Sequence, residues 1–188
     1  MKQNMKTILL VVAAAISIAA CANPSVSDKA VASTDSAVSG FYEVHKDGRL
    51  YAFSNADTYK GFLHNGEAAY VLTRIGKGPK NNTLVYGLTK DESKDPAAQP
   101  FVKLYEDEIE AAHEGFYGET FYEGRYYAFD SWEDMKEFRM KGEAPIVFTM
   151  IAKGPERATL VMVRNKESAK NQAASDALYA RFKANHGL

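Results

Sequence analysis

The chain has 188 residues, with 23 Lys and Arg against 24 Asp and Glu for a formal net charge of −1, and one cysteine. That balance lacks the basic excess of a nucleic-acid binder, and a lone cysteine excludes an intramolecular disulfide framework. No apolar run is long enough to cross a hydrocarbon core of ~30 Å as a helix.

Lys2 and Lys6 precede an apolar run of 13 residues, Ile8 to Ala20, that ends in small side chains. Residues 1–20 therefore read as a secretory leader, not as structure. The junction Ile18-Ala19-Ala20-Cys21 resembles a bacterial lipobox. The resemblance implies cleavage before Cys21, a thioether-linked diacylglycerol and an N-acyl chain on that residue, and anchoring in the lipid bilayer. A plain leader with a chance Cys is the alternative. Acyl chains, at ~0.8 kcal/mol per buried CH₂, hold a protein without a transmembrane helix. Asn23, with no Asp beside the acylated residue, points by analogy to the outer membrane, with the body facing the periplasm. Residues 21–39 contain no aromatic side chain and read as a flexible tether.

The rest is written twice. Gly40 to Ala98 reappears as Gly115 to Ala174, with one extra residue assigned to the second copy's first turn, and 26 of 59 aligned positions are identical. Unrelated sequences share roughly 6%. Repeat unit 1 is residues 40–114 with net charge −3, and repeat unit 2 is residues 115–188 with net charge +1.

Each unit opens as a hairpin. Phe41–Val44 and Arg49–Phe53 flank Asp47-Gly48, and Glu123-Gly124 serves the second copy. Ser54 with Asp57, and Asp130 with Glu133, read as capping boxes for helices whose apolar stripes are Ala56, Tyr59, Phe62, Leu63 and Trp132, Met135, Phe138. Gly66 and Gly142 suit left-handed helix ends. Strands follow at Tyr70–Ile75 and Ile146–Ile151. Val71, Thr73 and Ile75 recur there as Val147, Thr149 and Ile151 while their alternates differ, so that face is expected to meet the same neighbour in both units. Lys-Gly-Pro turns the chain into strands from Thr83 and Thr159, and a helix closes each unit. The pattern predicts an α+β fold of two tandem ββαββα units, with antiparallel sheets covered on one face by helices and a pseudo-twofold between the units.

Chemistry-bearing residues are sparse. His45, His64, His113 and His186 have no histidine counterparts and read as surface or capping residues. Glu106, Asp107, Glu108 and Glu110 are expected on the wet face of a helix, and no Gly-x-Ser-x-Gly elbow occurs. Lys77-Gly78-Pro79 and Lys153-Gly154-Pro155 read as turns; alternatively, Lys77 and Lys153 flank an anionic ligand or partner. Tyr42, Tyr51, Tyr117, Tyr122, Tyr126 and Tyr127 crowd the hairpins beside Arg49 and Arg125. They either cover a core edge or form an exposed Tyr/Arg face of the kind favoured at interfaces. Glu67 and Glu143 are expected to pair with Arg49 and Arg125. The second unit's Met135, Met140, Met150 and Met162 either fill core gaps or offer thioethers to Cu(I).

Tyr51-Ala52-Phe53-Ser54 with Phe62, and Tyr127-Ala128-Phe129-Asp130 with Phe138, resemble the core of YHS-type domains. A similar hairpin-then-helix pattern belongs to copper-accessory lipoproteins of nitrous oxide reductase. Metal-binding members often carry cysteines near that turn, where this chain has Ser54 and Asp130, so the resemblance implies fold more than metal. The expectation is a membrane-anchored periplasmic lipoprotein with a non-catalytic binding or envelope-accessory body, no cofactor, no nucleic acid and an envelope protein as partner. The alternative is Cu(I) handling by the four methionines.

Overall fold

A computed structural model describes residues 38–111 and 115–188. The expected leader, Cys21, most of the tether and His113 lie outside the described residues. In the first half, β1 (Gly40–Lys46) and β2 (Arg49–Phe53) are joined by a two-residue turn at Asp47 (φ 52°) and Gly48 (φ 69°). Helix α1 (Ala56–Asn65) ends at Gly66 with φ 76°, and its amide closes on the Phe62 carbonyl. Then come β3 (Tyr70–Arg74), a tight turn at Pro79–Asn81, β4 (Thr83–Leu88) and the short α2 (Pro100–Tyr105). The second half runs β5 (Tyr117–Tyr122), β6 (Arg125–Phe129), α3 (Trp132–Lys141), β7 (Ile146–Met150), β8 (Thr159–Arg164) and α4 (Gln172–His186).

All eight strands form one sheet in the order β3-β4-β2-β1-β5-β6-β8-β7. The protein is α+β, but the sheet is mixed and not antiparallel. The hairpins are antiparallel, whereas β4 inserts between β2 and β3 and so runs parallel to β2. β8 does the same beside β6, and the halves join through parallel β1 and β5.

Helices cover both faces, not one. Successive residues of a strand point to opposite faces, and Phe41 and Tyr42 belong to different cores. Phe41 packs with Phe101 of α2 and, at 4.9 Å between rings, Trp132 of α3. On the other face Tyr42 meets Tyr59 of α1 at 5.2 Å, and the cluster includes Leu178 and Phe182 of α4. Burying each such side chain contributes about 1.5–3 kcal/mol. Val38, assigned to the tether, is buried in the first of these cores.

Three local expectations move. The N-caps are Asn55 and Ser131, one residue later than expected. Ser54 instead donates to Glu92 at 2.5 Å, and Asp130 accepts from Arg164 at 2.6 Å, so each ties its hairpin to a later segment. Both hairpin turns have two residues, so the repeats align at a constant offset of 76 and the extra residue lies ahead of β5. Finally, α2 ends at Tyr105, which leaves Glu106–Glu110 beyond the helix, with Glu106 held by Arg74 at 3.0 Å.

Candidate functional site

The face of β3 expected to meet a neighbour is open. Val71 is 51% exposed and Ile75 85%; in the second copy Val147 is 46% exposed and Ile151 79%. Val71 and Thr73 of β3, with Ile75 just beyond it, form one wall of a groove of about 450 Å³. Arg49 and Tyr51 of β2 and Thr83 and Val85 of β4 form its floor. The end of α1 and its exit contribute Phe62, Gly66, Glu67 and Ala68. These floor residues lie on the face of β2 and β4 opposite Leu50, Leu84 and Tyr86, which pack in the core that holds Phe101 and Val102 of α2.

All eleven of these residues recur unchanged at the offset of 76, from Arg125 and Tyr127 through Glu143 and Val147 to Val161. At that offset 24 of 59 positions are identical, so only 13 of the other 48 match. The fold explains part of this, since Phe62 and Val85 are buried and Gly66 must adopt positive φ. It does not explain exposed Arg49, Glu67, Val71, Thr73 and Ile75. On the same strand the half-buried Leu72 and Arg74 have changed, to Phe148 and Met150. Arg49 and Glu67 share the groove without forming one of the ion pairs found among the described residues, and neither do Arg125 and Glu143.

The constant offset also reveals two fully buried glutamates, Glu43 on β1 and Glu119 on β5. Glu43 pairs with Arg139 of α3 at 2.6 Å and accepts from Thr120 at 3.1 Å. Glu119, on the other face, accepts from the Tyr117 hydroxyl at 2.5 Å and lies 2.8 Å from Nε2 of His186, whose side chain is 4% exposed. Burial first, then the Glu119 carboxylate, pushes the Tyr59 and Tyr117 hydroxyls well above their ordinary value of 10.0. His186 is thus an interior residue, contrary to expectation, while His64 is exposed as expected. The Gly-Phe-Tyr match at an offset of 75 hid this pair; a strand buried over Phe41–Val44 without a break was the available signal.

The remaining candidates separate. Tyr42, Tyr117 and Tyr126 are buried, and Tyr51 and Tyr127 are half-buried beside the repeated surface. Lys77 lines a basic cleft beside α3, whereas Lys153 is exposed. Met135 is buried in one core and Met162 in the other, Met150 packs against the core that holds Met162, and Met140 is 60% exposed. The four thioethers are therefore divided between the two faces of the sheet. Among the described residues, no three His, Cys, Asp or Glu side chains are grouped to hold a metal ion. No helix of the described residues is long and apolar enough to cross a membrane. No protein family, characterised protein or solved structure matches the chain.

Proposed function

We propose that the chain is a membrane-anchored periplasmic lipoprotein whose body is a non-catalytic binding or envelope-accessory module, held through Cys21 in the outer membrane. Its two units are related by a pseudo-twofold running along the central strands, and each presents the same ligand surface at its edge of the sheet. One observation carries this: exposed Val71, Thr73 and Ile75 are retained in the second copy while the alternate positions Tyr70, Leu72 and Arg74 have all changed. Exposed side chains that touch nothing change freely at little cost to stability. A contact made by both copies accounts for their retention, and Tyr51 with Arg49 supplies the residue types that anchor interfaces.

Native mass spectrometry on the full lipoprotein, released gently from its own membranes, tests this. An acylated chain carrying an envelope component, lost when Tyr51→Ala and Tyr127→Ala are combined, is expected. A bare acylated chain would count against the binding role, and an unmodified Cys21 against the anchor.

A further inference from the structure

Six buried side-chain polar atoms lack a hydrogen-bond partner among the described residues, and three of them belong to His45, Asn82 and Arg139. All three residues line a single cavity of about 260 Å³ beside the Pro79–Asn81 turn. An unpaired buried polar atom costs about 1–3 kcal/mol, so such atoms nearly always have partners. Here the concentration is local. Asn82 Oδ1 sits over Gly78, where a Cβ would come within 2.0 Å of it, so His45 Nε2 and Arg139 Nη2 matter most.

Arg139 is held as a fixed donor. Its side chain is 6% exposed, its Nε is committed to Glu43, and its guanidinium lies 4.5 Å from the Tyr105 ring and 4.7 Å from Trp132. A planar guanidinium with free N–H groups suits carboxylate or phosphate oxygens. The same residue lines an adjoining cavity of about 340 Å³ with Lys77, Lys80 and Lys136. Asp107 is the one acid lining it and lies 3.7 Å from Lys136, so the cleft stays positive.

The second copy provides an internal control. Phe121, Glu156, Ala158 and Leu63 stand where His45, Lys80, Asn82 and Arg139 would be, while Pro155, Phe62 and Gly66 keep the frame of Pro79, Phe138 and Gly142. The fold is built there without the polar set. The unpaired atoms are therefore not demanded by the architecture.

We propose that this cleft binds an oxyanion group, the carboxylate or phosphate of a small ligand, with Arg139 and His45 as donors and Lys77 and Lys80 as surrounding positive charge. The cleft shares Phe138 and Gly142 with the second copy of the groove, but its proposed anion contacts, Arg139, His45, Lys77 and Lys80, line neither copy, so its failure would leave the binding-module proposal standing. The test is ¹H–¹⁵N NMR on the full chain, titrated with sodium phosphate or sodium acetate against sodium chloride at matched ionic strength. The signals to follow are the Arg139 Nε–H and the Lys80 and Asn82 amides. A saturable shift with phosphate or acetate and none with chloride is expected, and the anion that saturates first identifies the ligand group. His45→Phe and Lys80→Glu, residue types the other copy accommodates, should each raise half-saturation by roughly tenfold, the first by removing a hydrogen bond to a charged acceptor and the second by reversing a surrounding charge. Absence of a saturable shift with both anions, or titrations unchanged in both variants, would overturn the assignment.

Discussion

The repeated groove surface and the buried glutamates evolve in opposite ways. The groove is open to solvent, and all eleven lining residues recur. The glutamates are fully buried, yet their partners have diverged: Arg139 and Thr120 around Glu43, Tyr117 and His186 around Glu119. Packing alone produces the reverse, because interiors are sensitive to small changes in volume and surfaces are tolerant. The interior needs only that each carboxylate find donors, and two solutions serve. The surface keeps its identities, which points to something outside the chain that reads them.

The interior half of this contrast breaks most visibly. Arg139→Leu installs the residue found at the equivalent Leu63 but strands Glu43, and should cost about 3–5 kcal/mol in urea unfolding. Adding Glu43→Leu should recover most of that loss, since a buried pair replaced by apolar residues is often close to neutral. An unaltered single variant would show that Thr120 and other donors suffice.

The tyrosines around Glu119 give the next effect. Burial, followed by the Glu119 carboxylate, pushes the Tyr42 and Tyr126 hydroxyls up to about 12. The unfolded chain begins to lose those protons near its ordinary value of 10.0 while the folded chain retains them, so stability should fall as pH rises from 10 towards 12. Tyr126→Phe should flatten that fall, measured as Tm against pH; an unchanged slope would remove Tyr126 from the account. On the opposite face, burial holds His45 below its ordinary value of 6.5. The unfolded state therefore takes up the proton first, and stability is lost as pH drops below 6.5. His45→Phe should erase this smaller slope. Groove substitutions such as Thr73→Ala and Ile75→Ala should have the least effect, within about 0.5 kcal/mol of the parent chain, which makes them clean probes of binding.

Much of the frame was legible in local pattern. Asp47-Gly48 and Glu123-Gly124 marked the hairpins, and Gly66 and Gly142 marked the helix ends. What local pattern could not carry was strand order. Nothing within β4 announces that it lies parallel to β2, because the pairing joins residues such as Leu50 and Leu84 across the intervening α1 and β3. Coverage on both faces left a trace in the unbroken burial of Leu84–Leu88, the signature of a strand packed on each side. The repeated alternation in β3 was visible too. Its meaning reversed once Val71 and Ile75 proved exposed, since a period of two marks two faces without saying which is wet. Glu43 and Glu119 were obscured because an offset of 75 gave three matches at Gly-Phe-Tyr, while the offset of 76 that the strand registers require gives none there and only the Glu43–Glu119 match beside it.

The most direct test places a photo-crosslinking amino acid at Val71, and separately at Val147, in the full chain within its own cells. Asp57, whose side chain is 94% exposed on α1 away from the groove lining, serves as the control position. Two sites that read the same partner should yield the same adduct from Val71 and Val147, with none from Asp57. No adduct at either valine, or the same adduct from Asp57, would contradict the claim that the retained surface exists to bind.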